Sequence, residues 1–254
     1  MMSRTPYIRG MDTTQLPTAP ETRTPPDAPL VPALRLAGVL AVRPVLILAL
    51  GLGLLAANAS LLYANALVVL ADLAALAVLA AALRAEGRSL LDLLRPWRWV
   101  DLAWGALMLV ILLIGFLASS FVANLLVYGG APPMSRSMPD IPLWVGLVAV
   151  LVAPLTIAVS EEAVYRGYAQ PRLARRTGTL PAVLAVAAVF ALQHAGFALT
   201  SPADVAAKLL ATLFAGLILG ALMLWMRRIA PLILGHWGLD VLLLGLPTLA
   251  IALS

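Results

Sequence analysis

Seven stretches of this chain are almost wholly apolar and about as long as a bilayer is thick: residues 36–57, 60–83, 102–128, 141–160, 180–199, 205–226 and 230–253. A helix needs about 20 such residues to cross the hydrocarbon core. Only helices and closed barrels satisfy every backbone N–H and C=O where no water is available. The pattern therefore predicts an all-α, polytopic integral membrane protein of about seven spans. Two of the runs are imperfect. Arg43-Pro44 interrupts the first, which is expected to start late. The last contains Gly235, Gly238, Gly245 and Pro247, so it is expected as one broken helix or as two short ones, which would make eight spans. No repeat of fixed length is visible.

Composition excludes the soluble alternatives. Hydrophobic residues make up 62% of the 254 positions and charged residues 11%, against about 45–50% and about 25% in soluble domains. A net charge of +5 would suit nucleic acid, but loop charges of a membrane protein account for it. With the N-terminus inside and seven spans, 15 of the 17 basic residues fall on the cytoplasmic side, Arg43 and Arg166 among them; only Arg136 and Lys208 do not. The reverse orientation would invert that ratio. A cytoplasmic N-terminus in a cell (inner) membrane is expected, with membrane lipids as partners and no nucleic acid.

Two segments lie outside the spans. Residues 1–32 hold seven prolines and six threonines; a stretch of this kind builds no core and is expected to be a disordered tail. Met11 is an alternative start within it. The helical domain is expected over 33–254. Residues 84–101 mix leucines, Trp97 and Trp99 with four arginines, as does an amphipathic segment lying in the membrane interface.

Chemistry has few residues to use. There is no cysteine and there are two histidines, His194 and His236. Of four glutamates, Glu161 and Glu162 are adjacent at the end of an apolar run, and Arg166 follows one turn later. An ionisable group in a span is costly and by default functional. Glu162–Arg166 alone reads as an i,i+4 pair at a helix end. Glu161 does not fit that reading, because adjacent helical residues point about 100° apart. One glutamate is then structural, held by Arg166, and the other faces a cavity. His194 lies four residues after Phe190, on the same face. His236 precedes Asp240 by four, so Asp240 either orients the imidazole or joins it in a site. Such a set activates water for hydrolysis in one of two ways. Glutamate acts as the base and a polar group stabilises the oxyanion, or two histidines and a carboxylate hold zinc. Neither HExxH nor GxSxG occurs.

Three motifs stand in order: Glu161-Glu162-Ala163-Val164-Tyr165-Arg166, Phe190-Ala191-Leu192-Gln193-His194 and His236-Trp237-Gly238-Leu239-Asp240. They resemble the E-E-x-x-x-R, F-x-x-x-H and H-x-x-x-N/D motifs of the CPBP family. That family comprises intramembrane proteases that include type II CAAX prenyl proteases and bacteriocin-processing or abortive-infection-type proteins. The resemblance covers about 141–245. It implies a helical membrane fold with a site open to the cytoplasmic side and an endopeptidase acting on protein or peptide substrates, lipidated ones in the CAAX case. It also implies that Glu161 and His194 activate water, that His236 and Asp240 stabilise the oxyanion, and that Glu162 with Arg166 is a structural pair. Zinc held by Glu161, His194, His236 and Asp240 is the other scheme. Asp240 stands where eukaryotic CAAX proteases carry asparagine. An ionised aspartate cannot donate a hydrogen bond, which tilts the expectation toward metal. Two other functions use the same residues: a non-enzymatic scaffold or immunity-type protein of the same fold, and a proton-relaying transporter. The motifs are complete, against the first. No inverted repeat is visible, against the second.

Overall fold

The computed structural model describes residues 31–133 and 139–254. All but the last two residues of the expected tail lie outside the described residues, as does Arg136. Among the described residues all regular structure is helical. Helix α1 spans Ala33–Ala56, and a 3₁₀ turn, Leu61–Tyr63, leads into α2, Ala64–Arg84. A single turn, α3 (Leu91–Leu94), precedes α4, Val100–Tyr128. Then come α5, Leu143–Leu151, and α6, Ala153–Glu161, a π-helical segment Glu162–Ala169, and α7, Gln170–Thr177. Helix α8, Thr179–Gln193, ends in a 3₁₀ turn, His194–Phe197. The chain closes with α9, Pro202–Met226, α10, Ile229–Asp240, a π turn Val241–Gly245, and α11, Leu246–Leu253.

Six helical stretches are long and apolar enough to span a membrane, and α5 with the helix from Ala153 to Thr177 makes a seventh, bent by 43°. The bend falls at Val152, just before Pro154, whose ring cannot join the hydrogen-bond ladder. Large apolar side chains such as Leu70, Ile114, Phe121, Leu126 and Leu151 are exposed on the outside of this bundle. That is unfavourable in water and expected in lipid. The chain is an all-helical, polytopic integral membrane protein.

Two expectations are corrected here. The first span does not start late: α1 runs unbroken through Arg43-Pro44. Neighbouring helices make up for a proline's missing donor inside a membrane, and Arg43 is buried rather than in a loop. The last span is one continuous helical stretch from Ile229 to Leu253; its glycines pack and do not break it. The expected interfacial segment holds one helical turn and is otherwise irregular. Pro96 accounts for this, since the residue before proline is pushed out of helical geometry. Trp97 and Trp99 are exposed, while Leu93 packs on the core. At the start of that turn the Ser89 backbone N–H donates to Asp92 at 2.7 Å, which holds the Asp92 carboxyl below its usual range.

Helices α4 and α9 lie antiparallel and are tied at both ends. At one end Tyr128 donates to Asp204 at 2.5 Å, and Ser201 caps α9 by accepting from the Asp204 N–H. At the other, Arg228 donates to Asp101 and to the Pro96 carbonyl. The main core, which includes Leu79, Met108, Val164, Tyr165, Phe190 and Leu232, fills the space between α2, α4, α8, α9 and α10.

Helix α1 is fastened by backbone contact. Its buried residues Arg43, Ile47 and Gly51 recur every four positions, on one face. That face meets the 3₁₀ turn after α8 at Gly196. A Cβ on Gly51 would lie 2.1 Å from the Gly196 carbonyl oxygen, and one on Gly196 would lie 2.3 Å from that of Ile47. Small residues permit this approach, the usual device of helix packing in membranes. Gly51→Ala is expected to destabilise the protein by about 1–3 kcal/mol through overpacking. Gly53→Ala, whose Cβ would meet nothing within 4 Å, is the control. Thermal unfolding in detergent checks this; equal midpoints for the two variants would mean that the crossing is looser than described.

Candidate active site

The glutamate pair sits where the helical ladder changes register. Glu161 ends α6, and Glu162 opens an eight-residue π-helical segment that carries Arg166. A second π turn begins just after Asp240. Each is followed within two residues by a proline, Pro171 or Pro247. Proline cannot donate to the carbonyl four residues back, so one α-helical bond is lost there in any register. Such π segments are rare and are frequent at functional sites.

Both glutamates are fully buried and face different partners. One Glu162 oxygen, Oε1, accepts from His236 Nδ1 at 2.9 Å and lies 3.5 Å from Arg166. The Arg166 guanidinium is itself buried, 4.4 Å from the Phe190 ring centroid and 5.7 Å from that of Tyr165. Ring faces are a favourable seat for a desolvated guanidinium. Glu162–Arg166 is thus a pair, but Glu162 also fixes the ring of His236. Of the two roles left open for Asp240, the hydrogen bond that orients the ring is made by Glu162 instead. Asp240 Oδ2 lies 3.6 Å from His236 Nε2, beyond hydrogen-bond range, and has no partner. Spacing of i,i+4 puts the two on one face, but the ring turns its other nitrogen to a nearer carboxylate from another helix.

Glu161 is divided between its two oxygens. Oε1 accepts from Arg43 Nη1 and from Gln193 Nε2 at 2.9 Å. Oε2 is buried without a partner, 3.6 Å from His236 Nε2. His236 Nε2 therefore has one unpartnered carboxylate oxygen of Glu161 and one of Asp240 at the same distance. His194 heads the 3₁₀ turn, its Nδ1 2.7 Å from the Phe190 carbonyl. A carbonyl only accepts, so this nitrogen carries the proton and Nε2 of the neutral ring keeps its lone pair. Phe190 serves twice, with its ring against Arg166 and its carbonyl on His194.

His194, His236 and Asp240 line one cavity of about 60 Å³, walled by Phe116, Phe190 and Leu219 among others. That volume takes water and not a peptide. Glu161 does not line it; its free oxygen reaches the site beside His236 Nε2. Among the described residues no three His, Asp or Glu side chains are grouped to hold a metal ion. Of the four named as a zinc set, Nδ1 of each histidine and Oε1 of Glu161 are engaged in hydrogen bonds, an arrangement that histidines ligating a metal through Nε2 also show.

Sequence alone places Arg43 among the loop charges and does not mark Asp72, yet both are buried beside Glu161. Arg43 Nε donates to Asp72 Oδ1 at 2.7 Å, and Nη1 also reaches Gln193 Oε1 at 2.5 Å. Ser160 and Thr156 each donate to Asp72 at 2.9 Å, and Tyr165 donates to Gln193 at 2.7 Å. The signal was available: an arginine in the first apolar run and an aspartate in the middle of the second, the kind of pair that spans do not carry without cause.

No curated protein and no solved structure matches this chain. Residues 141–242 match the family model of the Rce1-like type II CAAX prenyl endopeptidases. The matched segment contains all three motifs and leaves out Arg43 and Asp72. Residues 141–242, which carry both glutamates, both histidines and Asp240, are thus similar to the Rce1-like type II CAAX prenyl endopeptidases.

Proposed function

We propose that this protein is an intramembrane endopeptidase that hydrolyses peptide bonds of membrane-associated proteins or peptides, prenylated ones included, with water activated by Glu161 and His194. The observation that carries the reading is the division of Glu161: one oxygen is held by two donors and the other is left buried and unpartnered beside His236. A carboxylate so arranged is a base with one available oxygen. His194 Nε2 offers a second acceptor, in the cavity that His236 also lines. The water's proton passes to this pair as its oxygen adds to the scissile carbonyl carbon. The carbonyl π electrons move to its oxygen, and the resulting oxyanion takes a hydrogen bond from Nε2–H of His236 in its doubly protonated form, whose Nδ1–H stays on Glu162. Glu162, bonded to Nδ1, holds that ring in place. Collapse of the adduct breaks the C–N bond, and the proton held by the base leaves with the amine. Asp240 assists the oxyanion only when protonated. The substrate enters between helices, because the cavity itself is too small for a peptide.

The N-terminus is cytoplasmic in this reading. Setting aside Arg43 and Arg166, which are buried, does not disturb the charge asymmetry of the remaining loops. Direct comparison of protein termini tests the function. Membranes of a deletion strain rescued by wild type or by Glu161→Gln are compared; new termini found with wild type alone establish proteolysis and name the substrate. Identical termini, with the variant still rescuing growth, would establish the scaffold reading instead. Glutamate-based catalysis predicts full peptidase activity after exhaustive chelation. A loss that zinc alone restores would move catalysis to a metal.

A further inference from the structure

Outside the family segment, two buried charges from the first two spans converge on the proposed base. We propose that Arg43 and Asp72 are positioning residues for Glu161, a clamp that occupies one carboxylate oxygen so that the other is presented to water. This rests on the endopeptidase reading above.

The clamp is a built arrangement. Arg43 projects from the same face of α1 as Ile47 and Gly51, and the close crossing of Gly51 with Gly196 locks that face against the turn that begins at His194. The guanidinium is then divided among three acceptors. Nε donates to Asp72 at 2.7 Å; Nη1 donates to Glu161 Oε1 and, at 2.5 Å, to Gln193 Oε1. Gln193 closes the ring by donating to the same Glu161 oxygen at 2.9 Å. Asp72 is in turn fixed by Ser160, the residue before Glu161, and by Thr156 one turn earlier. Every partner of Arg43 is thus tied to the strand of sequence that carries the base or the first histidine.

An ordinary buried salt bridge would need only one carboxylate. Here one cation is set between two, Asp72 and Glu161, and the second keeps Oε2 free. The planar fork suits this, because its donors have fixed directions. A lysine, a single ammonium point, keeps the charge but does not reproduce that directed set. Asp72 supplies the anion that holds the fork in register. The residue types follow: an arginine for direction, an acid to anchor it and an amide, Gln193, that both accepts and donates.

The test uses the full chain in detergent with a farnesylated CAAX peptide bearing a fluorophore and quencher. Arg43→Lys is expected to lower kcat by about 100-fold with KM unchanged, the effect of misplacing a catalytic group by about 1 Å. A second readout does not need activity. The infrared carboxylate band of Glu161, isolated as wild type minus Glu161→Gln, is expected to shift in the Arg43→Lys background. Asp72→Asn, read in the same two ways, replaces Arg43→Lys if that variant does not fold. Wild-type kcat together with an unmoved Glu161 band would overturn the proposal. If wild type cleaves no peptide but the band still shifts, the endopeptidase reading falls and the Arg43–Glu161 clamp stands.

Discussion

Glu161→Gln is expected to lower kcat for peptide hydrolysis by about 10²–10⁴-fold, the contribution of a positioned general base, while the protein stays folded and inserted. An amide cannot take a proton from water, but its oxygen still accepts from Arg43 and Gln193, the two groups that hold Oε1. The clamp is therefore kept and only basicity is lost. Purified wild type and variant are compared on one peptide, with thermal unfolding as the control for folding. Wild-type turnover by the variant would remove Glu161 as the base. Its neighbour should behave differently. Glu162→Gln leaves the free oxygen of Glu161 in place but weakens the anchor on His236 Nδ1 and the partner of Arg166, so both rate and stability should fall. Two adjacent glutamates thus separate into a base and an anchor.

The second large effect is on stability. Arg166→Leu should destabilise the protein by about 3–5 kcal/mol, the cost of leaving one member of a buried ion pair uncompensated. The guanidinium is fully buried, 3.5 Å from Glu162 and seated against Phe190 and Tyr165. Leucine leaves the Glu162 carboxylate with the His236 ring as its one remaining partner among those described. The decisive measurement is a double-mutant cycle on unfolding midpoints. Adding Glu162→Gln to Arg166→Leu should restore part of the loss, because the orphaned charge is then gone. Additive losses, or an Arg166→Leu midpoint equal to wild type, would show that the pair is not coupled.

Local pattern carried much of this protein. Six of the seven apolar runs became helices of spanning length and the fourth a bent pair, because a backbone without water must close its hydrogen bonds within the segment. Glu162 with Arg166 was legible for a similar reason: helical geometry sets which residues one turn apart can meet. The 100° rule also separated Glu161 from Glu162, and the two do face different partners.

The misreadings share one cause. Arg43 looked like a break and a loop charge, because a charge beside a proline is locally unfavourable in a helix. Its partners, Asp72 and Glu161, lie 29 and 118 positions away, and no local rule reaches them. Spacing of one turn leaves Asp240 as either the orienter of His236 or its neighbour in the site; Glu162, 74 positions away, holds that ring.

The helices, the membrane and the residues capable of chemistry thus follow from segment hydropathy and from which side chains ionise. Which oxygen of Glu161 is free, which carboxylate holds His236 and why a charge in the first span is tolerated do not. Those depend on helices meeting across long sequence separations, where a buried charge is stable only if the fold brings it a partner.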